Sequence, residues 1–216
     1  MTAKQGKRPD LSAYARKLCA SVPVIPVLVI DDVASARPMA ESLVRGGLPV
    51  LEVTLRTDAA LDAIRIMSKV PGAIVGAGTL LEPADVRAVK EAGACFGVSP
   101  GVTDALLDAA EELDLPLLPG ASTVSEVMRL FVRGYDMLKF FPAEAAGGIP
   151  MLKSIAGPVP QVTFCPTGGV NPGNLNAYRA LPNVACVGGS WLTPKDIVAS
   201  GDWGTIEQAA RAASSS

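Results

Sequence analysis

The stretch VLEVTLR at residues 50–56 alternates strictly between aliphatic and polar side chains from Leu51 onward. A β-strand points successive side chains to opposite faces, so Glu52, Thr54 and Arg56 share one face. A solvent-facing strand would also alternate, but a parallel barrel covered by helices has no solvated strand face. We therefore expect the aliphatic face to meet helices and the polar face to point into a barrel, with Arg56 nearest the carboxyl end.

Runs rich in Val, Ile, Leu and Phe recur eight times, starting near residues 22, 49, 72, 95, 115, 136, 161 and 184, and most precede an amphipathic stretch. The intervals of 20 to 27 residues between these starts fit one strand, one helix and two short loops. Strictly alternating β and α elements imply a parallel sheet, and eight units favour closure. We predict an α/β fold, a single (β/α)8 TIM barrel with an extra N-terminal helix over residues 12–19.

An open, doubly wound sheet is the alternative fold, and it predicts a glycine-rich turn after the first strand. The corresponding turn, residues 29–32, reads Val-Ile-Asp-Asp and contains no glycine. We therefore expect a barrel catalytic domain over residues 10–213, a flexible segment over 1–9 and a disordered tail over 214–216. The predicted helix starts carry capping or first-turn residues, namely Asp31 or Asp32, Thr57, Pro83, Thr103 and Thr123.

The amino-acid composition limits the partners and the catalytic groups that the chain could use. The 216 residues are 49% hydrophobic, enough for one large core, and the net charge of −2 combines 19 basic with 21 acidic residues. These charges are dispersed, so neither nucleic acid nor a membrane surface is an expected partner. The chain has no histidine, which removes Ser-His and Cys-His pairs and the commonest metal ligand. Acid/base chemistry falls to Glu, Asp, Lys or Tyr, and we expect no metal and no cofactor.

The four cysteines lie far apart, without the close pairs of zinc sites or redox dithiols, and we interpret them as reduced, mostly buried thiols.

The amino terminus resembles a signal peptide, because basic residues precede the apolar run at 22–30. That run contains Pro23 and Pro26 and is needed as the first strand, so we reject a signal peptide. No stretch approaches the roughly 20 apolar residues of a transmembrane helix. We expect a cytoplasmic protein.

Lys139 stands within the apolar stretch 137–141, where an unpaired ammonium group would be costly. One interpretation is a buried salt bridge to Glu52. The other is a nucleophile, because desolvation favours the neutral amine that attacks carbonyl groups. The nearby cation Arg56 would favour the neutral amine, whereas Glu52 would oppose it.

Five segments together resemble the 2-keto-3-deoxy-6-phosphogluconate (KDPG) aldolases, a family of class I, Schiff-base pyruvate aldolases. They are VLEVTLRT at 50–57, VGAGT at 75–79, KFFPAE at 139–144, FCPTGG at 164–169 and GGSW at 188–191. The resemblance spans nearly the whole chain. It implies that Lys139 is the Schiff-base lysine and Glu52 the general acid/base.

The resemblance also implies that Arg56 and Thr79 bind the pyruvate carboxylate, which suits a bidentate guanidinium and a hydroxyl donor. Pro100 and Phe141 would form apolar walls that keep the lysine neutral. Barrels commonly bind phosphate through backbone amides after strands seven and eight. We therefore expect a phosphate site at Gly168, Gly169, Gly188, Gly189 and Ser190, and Thr167 is a further expected substrate-binding residue.

The function so implied is cleavage of KDPG, a small phosphorylated keto acid, to pyruvate and glyceraldehyde 3-phosphate, as in the Entner–Doudoroff pathway. The resemblance further implies a homotrimer. Broader aldolase activity on 4-hydroxy-2-oxoglutarate or on the C4 epimer of KDPG stays open, because the pyruvate half of the site is common to all three substrates. Two other classes also stay open: a phosphate-binding isomerase or decarboxylase in which Lys139 only pairs with Glu52, and an assembly scaffold that has lost catalysis.

Overall fold

The computed structural model describes residues 10–215, over which helices and parallel strands alternate. The strands are β1 (Val24–Leu28), β2 (Val50–Thr54), β3 (Ile74–Gly78), β4 (Gly97–Val98), β5 (Leu117–Leu118), β6 (Gly120–Ala121), β7 (Met137–Phe140), β8 (Thr163–Pro166) and β9 (Val187–Gly189). The helices are α1 (Ala13–Ala20), α2 (Ala36–Arg45), α3 (Ala60–Met67), α4 (Pro83–Glu91), α5 (Asp104–Glu112), α6 (Val124–Arg133), α7 (Gly148–Ala156), α8 (Leu175–Arg179), α9 (Lys195–Ser200) and α10 (Trp203–Ser214).

The strands form a curled, half-barrel arrangement of two parallel ladders. One ladder has the order β5-β4-β3-β2-β1-β9 and the other β6-β7-β8. Pro119 separates β5 from β6, because proline has no amide hydrogen to continue a ladder, although its carbonyl accepts the Lys139 amide at 2.9 Å. Isolated parallel bridges join Phe164 to Val184 and Thr167 to Gly188. The predicted α/β fold with parallel strands is confirmed, while complete closure with eight strands stays a prediction.

Two apolar clusters occupy the two faces of this sheet. The larger one packs Leu51 and Val53 of β2 against the helices, as the alternation at residues 50–56 predicts. The smaller one collects side chains of the concave face, and α1 covers it with Leu18 and Cys19. Its strand-side members are Ile25, Val50, Phe96, Val98, Leu118, Met137, Cys165 and Cys186. Glu52 and Thr54 share the face of Val50 and are buried above this cluster.

Most helix starts agree with their predicted caps. The Thr103 hydroxyl accepts the Leu106 amide at 3.2 Å, and Thr123 forms a reciprocal capping box with Glu126. The cap predicted at Thr57 is wrong, because the Thr57 hydroxyl donates to the Ile30 carbonyl at 2.6 Å and α3 begins only at Ala60.

The start of α2 also differs from its prediction. Asp32 caps a short 3-10 turn, Val33–Ser35, whose amide at Ala34 it accepts at 2.9 Å. The helix itself begins at the end of that turn and runs to Arg45, as predicted. Asp32 therefore directs the chain into α2 without being its cap.

The ends of the described chain test part of the predicted boundaries. Helix α1 matches the predicted N-terminal helix to within a residue, whereas the segment predicted as flexible, 1–9, lies outside the described residues. Ser214, which the predicted tail includes, is the last residue of α10, and its hydroxyl donates to the Arg211 carbonyl at 3.0 Å. The disorder of the tail stays a prediction. Within residues 10–215, no helix combines the length and the apolar character that crossing a bilayer requires.

Candidate active site

Lys139 and Glu52 meet across the concave face of the sheet. They belong to β7 and β2, which are not neighbours in either ladder, yet the Lys139 Nζ donates to the Glu52 Oε1 at 3.1 Å. The two residues are only 4% and 3% exposed, respectively. Burying either charge alone would be costly, so each depends on the other for compensation. The pair that the strand pattern suggested is therefore formed, and it places a carboxylate within proton-transfer distance of the amine.

Glycines of β3 make room for this pair. A Cβ at Gly78 would lie 2.2 Å from the Glu52 Oε1, so the carboxylate packs directly on the strand backbone. A Cβ at Gly76 would lie 2.4 Å from the Phe96 ring, which fills the layer below. The role of these glycines was not predicted, although both belong to the quoted segment at 75–79.

Thr79, the residue after β3, adopts a left-handed backbone conformation with φ of 66°. A β-branched residue is rarely found there, and such strain of about 1–3 kcal/mol is typical of functional sites. Thr79 is half-buried at the carboxyl edge of the sheet, one position beyond the glycine that contacts Glu52. Its location agrees with the predicted substrate-binding role.

The other two polar residues of the 50–56 face differ in their surroundings. Thr54 is fully buried, and its hydroxyl donates to the Leu28 carbonyl at 2.8 Å, so its part is to tie β2 to β1. Arg56 lies two residues beyond β2, exposed and without an ion pair to any other residue of the described range 10–215. Its guanidinium is therefore free to bind an anion at the carboxyl edge.

Phe141 lies beside the lysine, and Pro100 lies against the neighbouring strand β6. The Lys139 Nζ is 5.3 Å from the centroid of the Phe141 ring, a cation–π distance. Gly120 pairs with Lys139 in the ladder, and a Cβ at Gly120 would lie 2.3 Å from the Pro100 carbonyl oxygen. The chain at Pro100 thus crosses directly over the strand next to β7.

The two glycine segments lie next to each other. Thr167 bridges to Gly188, where a Cβ would lie 2.2 Å from the Thr167 hydroxyl. Gly168 and Gly169 follow with φ of 98° and 83°, which only glycine adopts without strain. At the end of β9, Gly189 is buried under the Trp191 ring, and Ser190 is exposed.

Three thiols lie in the layer beneath the pair. Hydrogen bonds with Cys165 raise the pKa values of Cys19 and Cys186, so these two remain thiols. Cys95 is the exposed one among the four cysteines, and all four are free, in agreement with the predicted reduced state. In the described part of the chain, no group of three or more Cys, Asp or Glu side chains is arranged to hold a metal ion.

Comparison with known proteins agrees with this geometry. The chain is 54% identical over 200 residues to a KHG/KDPG aldolase of Escherichia coli (strain K12), covering 92% of this chain and 94% of the relative. A KDPG aldolase structure from Legionella pneumophila, with pyruvate captured as a covalent carbinolamine intermediate, superposes with a TM-score of 0.89 at 48% identity, covering 92% of this chain and 97% of that one.

A second structure, from Zymomonas mobilis ZM4, is a KDPG aldolase with 3-phosphoglycerate. It superposes with a TM-score of 0.89 at 48% identity and covers 94% of this chain and 96% of that one. The family model for KDPG and KHG aldolases matches residues 16–209, so the chain belongs to the KDPG and KHG aldolase family.

Proposed function

We propose that the protein cleaves KDPG to pyruvate and glyceraldehyde 3-phosphate through a Schiff base on Lys139. The observation that carries this proposal is the buried pair of Lys139 and Glu52, with Nζ and Oε1 3.1 Å apart. A class I aldolase needs an amine in a dry site and an acid/base group beside it. Membership of the aldolase family supports the same activity.

In the proposed cycle, the Lys139 amine attacks the C2 ketone carbon to form a carbinolamine, which takes up a proton from solvent and loses water to leave a protonated imine. The Glu52 carboxylate takes the proton of the C4 hydroxyl group, the C3–C4 bond breaks, and its electron pair moves into the imine to form an enamine. Glyceraldehyde 3-phosphate leaves. Protonation of C3 and hydrolysis of the imine then release pyruvate and regenerate the amine. The imine serves as electron sink, so we expect the reaction to need no metal or cofactor.

The remaining residues would bind the two ends of the substrate. We propose that the free guanidinium of Arg56 and the hydroxyl of Thr79 bind the carboxylate. Pro100 and Phe141 would exclude water around the imine. The phosphate would lie at the adjacent glycine segments, bound by backbone amides and by a hydroxyl, with these residues in contact: Thr167, Gly168, Gly169, Gly189 and Ser190.

We further propose that the two ladders close into an eight-stranded barrel. The bridges of Phe164 to Val184 and of Thr167 to Gly188 support closure on one side, and the continuous segment across Pro119 supports it on the other. A single interior would explain why the concave face buries residues of both ladders in one cluster.

Steady-state assays of the wild-type protein test the activity. We expect cleavage of KDPG with undiminished rates in excess chelator, and slower cleavage of 4-hydroxy-2-oxoglutarate, which lacks the phosphate contacts. The C4 epimer of KDPG is the third substrate to compare. A protein that cleaves none of the three, while correctly folded by circular dichroism, would contradict the assignment and favour the scaffold hypothesis.

We also propose a homotrimer in the cytoplasm. Reduced thiols agree with that compartment. Met128 and Val132 lie one turn apart on α6 and are 56% and 76% exposed, and apolar side chains exposed together are typical of an interface. Sedimentation equilibrium at micromolar concentration is expected to give three times the 22.2 kDa chain mass. A monomer under these conditions would exclude the trimer.

A further inference from the structure

The turn that follows Lys139 is fastened to the first glycine segment. Residues 141–147 form this turn, between β7 and α7. The Ala143 amide donates to the Thr167 carbonyl at 2.8 Å, and the Glu144 amide donates to the Gly168 carbonyl at 3.0 Å. The turn therefore continues the contact of β7 and β8 beyond the strands, up to the predicted phosphate site.

The Glu144 side chain supports the next residue of that segment. A Cβ at Gly169 would lie 2.5 Å from the Glu144 Cγ, so the glycine backbone rests on the stem of this side chain. The Gly169 carbonyl accepts the side-chain amides of Asn171 and Asn174, both at 3.1 Å. The backbone at Gly169 is thus held from two directions.

Tyr178 fixes the carboxylate at the end of that stem. Tyr178 is fully buried on α8, and its hydroxyl donates to the Glu144 Oε1. A Cβ at Gly148, the first residue of α7, would lie 3.1 Å from the Tyr178 hydroxyl and 3.2 Å from the Glu144 Oε1, so little space remains around the contact. Burial raises the pKa of Tyr178 above its usual 10.0, so the hydroxyl stays a donor at neutral pH.

These contacts set the direction of one amide. The carbonyl and the N–H of a trans peptide point to opposite sides, so the bond from Glu144 to the Gly168 carbonyl turns the Gly169 N–H away from the turn. No group in residues 10–215 accepts this N–H, and Gly169 is exposed. An amide fixed in this way is a ready donor to an anion.

We propose that Tyr178 and Glu144 form a positioning pair that holds the Gly169 amide in the orientation that binds the substrate phosphate, an inference that rests on the function proposed above. Neither side chain need touch the substrate. A carboxylate close to a phosphate would repel it, and the Tyr178 hydroxyl holds the Glu144 carboxylate on the side of the segment away from that amide.

The pair is tested by Tyr178→Phe, which removes one hydroxyl. We expect the KM for KDPG to rise roughly 5- to 20-fold, with kcat within about twofold of wild type. This rise is smaller than the roughly 10- to 150-fold for outright loss of a hydrogen bond to a charged group, because the Gly169 amide loses only its support. Exchange of deuterium into the methyl group of pyruvate needs the imine but no phosphate, and we expect its rate to be unchanged. Glu144→Gln keeps an acceptor for Tyr178 and should keep the KM, whereas Glu144→Ala should raise it.

Tyr135→Phe is the matched control. Tyr135 is also a buried tyrosine, 2% exposed, and its hydroxyl donates to the Glu111 Oε1 at 3.2 Å, away from the glycine segments. It should change neither the KM nor the exchange rate. An unchanged KM in Tyr178→Phe, or an equal fall of cleavage and exchange, would overturn the positioning role while the aldolase function stands. A wild-type protein that neither cleaves KDPG nor exchanges pyruvate would overturn both.

Discussion

Incubation with pyruvate and borohydride is expected to leave a stable adduct on Lys139 and on no other lysine, as located by peptide mass spectrometry. The reason is that borohydride reduces the imine, and Lys139 is the lysine buried beside a carboxylate on the concave face. In Lys139→Arg, the positive charge that compensates Glu52 remains, but a guanidinium forms no imine. We expect its kcat for KDPG to fall by more than roughly a thousandfold.

Lys139→Arg also separates the aldolase from the isomerase and decarboxylase hypotheses, in which Lys139 serves only as a charge partner. If this variant kept most of its activity, the Schiff-base mechanism would be wrong. Lys153→Arg is the matched control, because Lys153 is exposed on α7, and it should keep both the adduct and the activity. Lys139→Met leaves the Glu52 carboxylate buried without a partner and is expected to lose about 3–5 kcal/mol of stability, as measured by urea unfolding.

The faces of the strands could be predicted from the sequence because side-chain alternation is a local property. The pattern at residues 50–56 assigned Leu51 and Val53 to the helix side and Glu52 to the concave side, and both assignments are confirmed. The order of helices and strands could be predicted for the same reason, since most units carry their own apolar run and helix cap. The prediction at Thr57 was wrong because of a tertiary contact. The Thr57 hydroxyl donates to the carbonyl of Ile30, which belongs to an earlier unit.

The features that could not be predicted arise from contacts between segments that are distant in sequence. Nothing in the sequence distinguishes Gly78 from other strand glycines. The structure shows that Glu52 of the neighbouring strand occupies the space that a Cβ at Gly78 would need. The contact of Tyr178 with Glu144 joins residues 34 positions apart, and neither periodicity nor capping signals it. The three buried thiols come from α1, from β8 and from the residue before β9, so their spacing in sequence gave no indication of a cluster.

Glu52→Gln is expected to separate imine formation from carbon–carbon cleavage. Glutamine keeps the size of the side chain and an oxygen that can accept the bond from Lys139, but it cannot take the proton of the C4 hydroxyl group. We expect kcat for KDPG to fall by about 10²- to 10⁴-fold, the usual contribution of a general base. The borohydride adduct with pyruvate should still form on Lys139, because the nucleophile is unchanged.

Glu111→Gln serves as the control for this substitution. The same substitution at Glu111 removes one negative charge from α5, outside the site. There the Glu111 Oε1 accepts a hydrogen bond from Arg133 at 2.7 Å. Its loss should leave cleavage unchanged. Two results would count against Glu52 as the acid/base group: near wild-type cleavage in Glu52→Gln, or loss of the adduct together with cleavage. The second result would mean that the carboxylate serves chiefly to hold the buried lysine in place. The 3.1 Å contact between Nζ and Oε1 would then be needed for imine formation, which precedes cleavage of the C3–C4 bond.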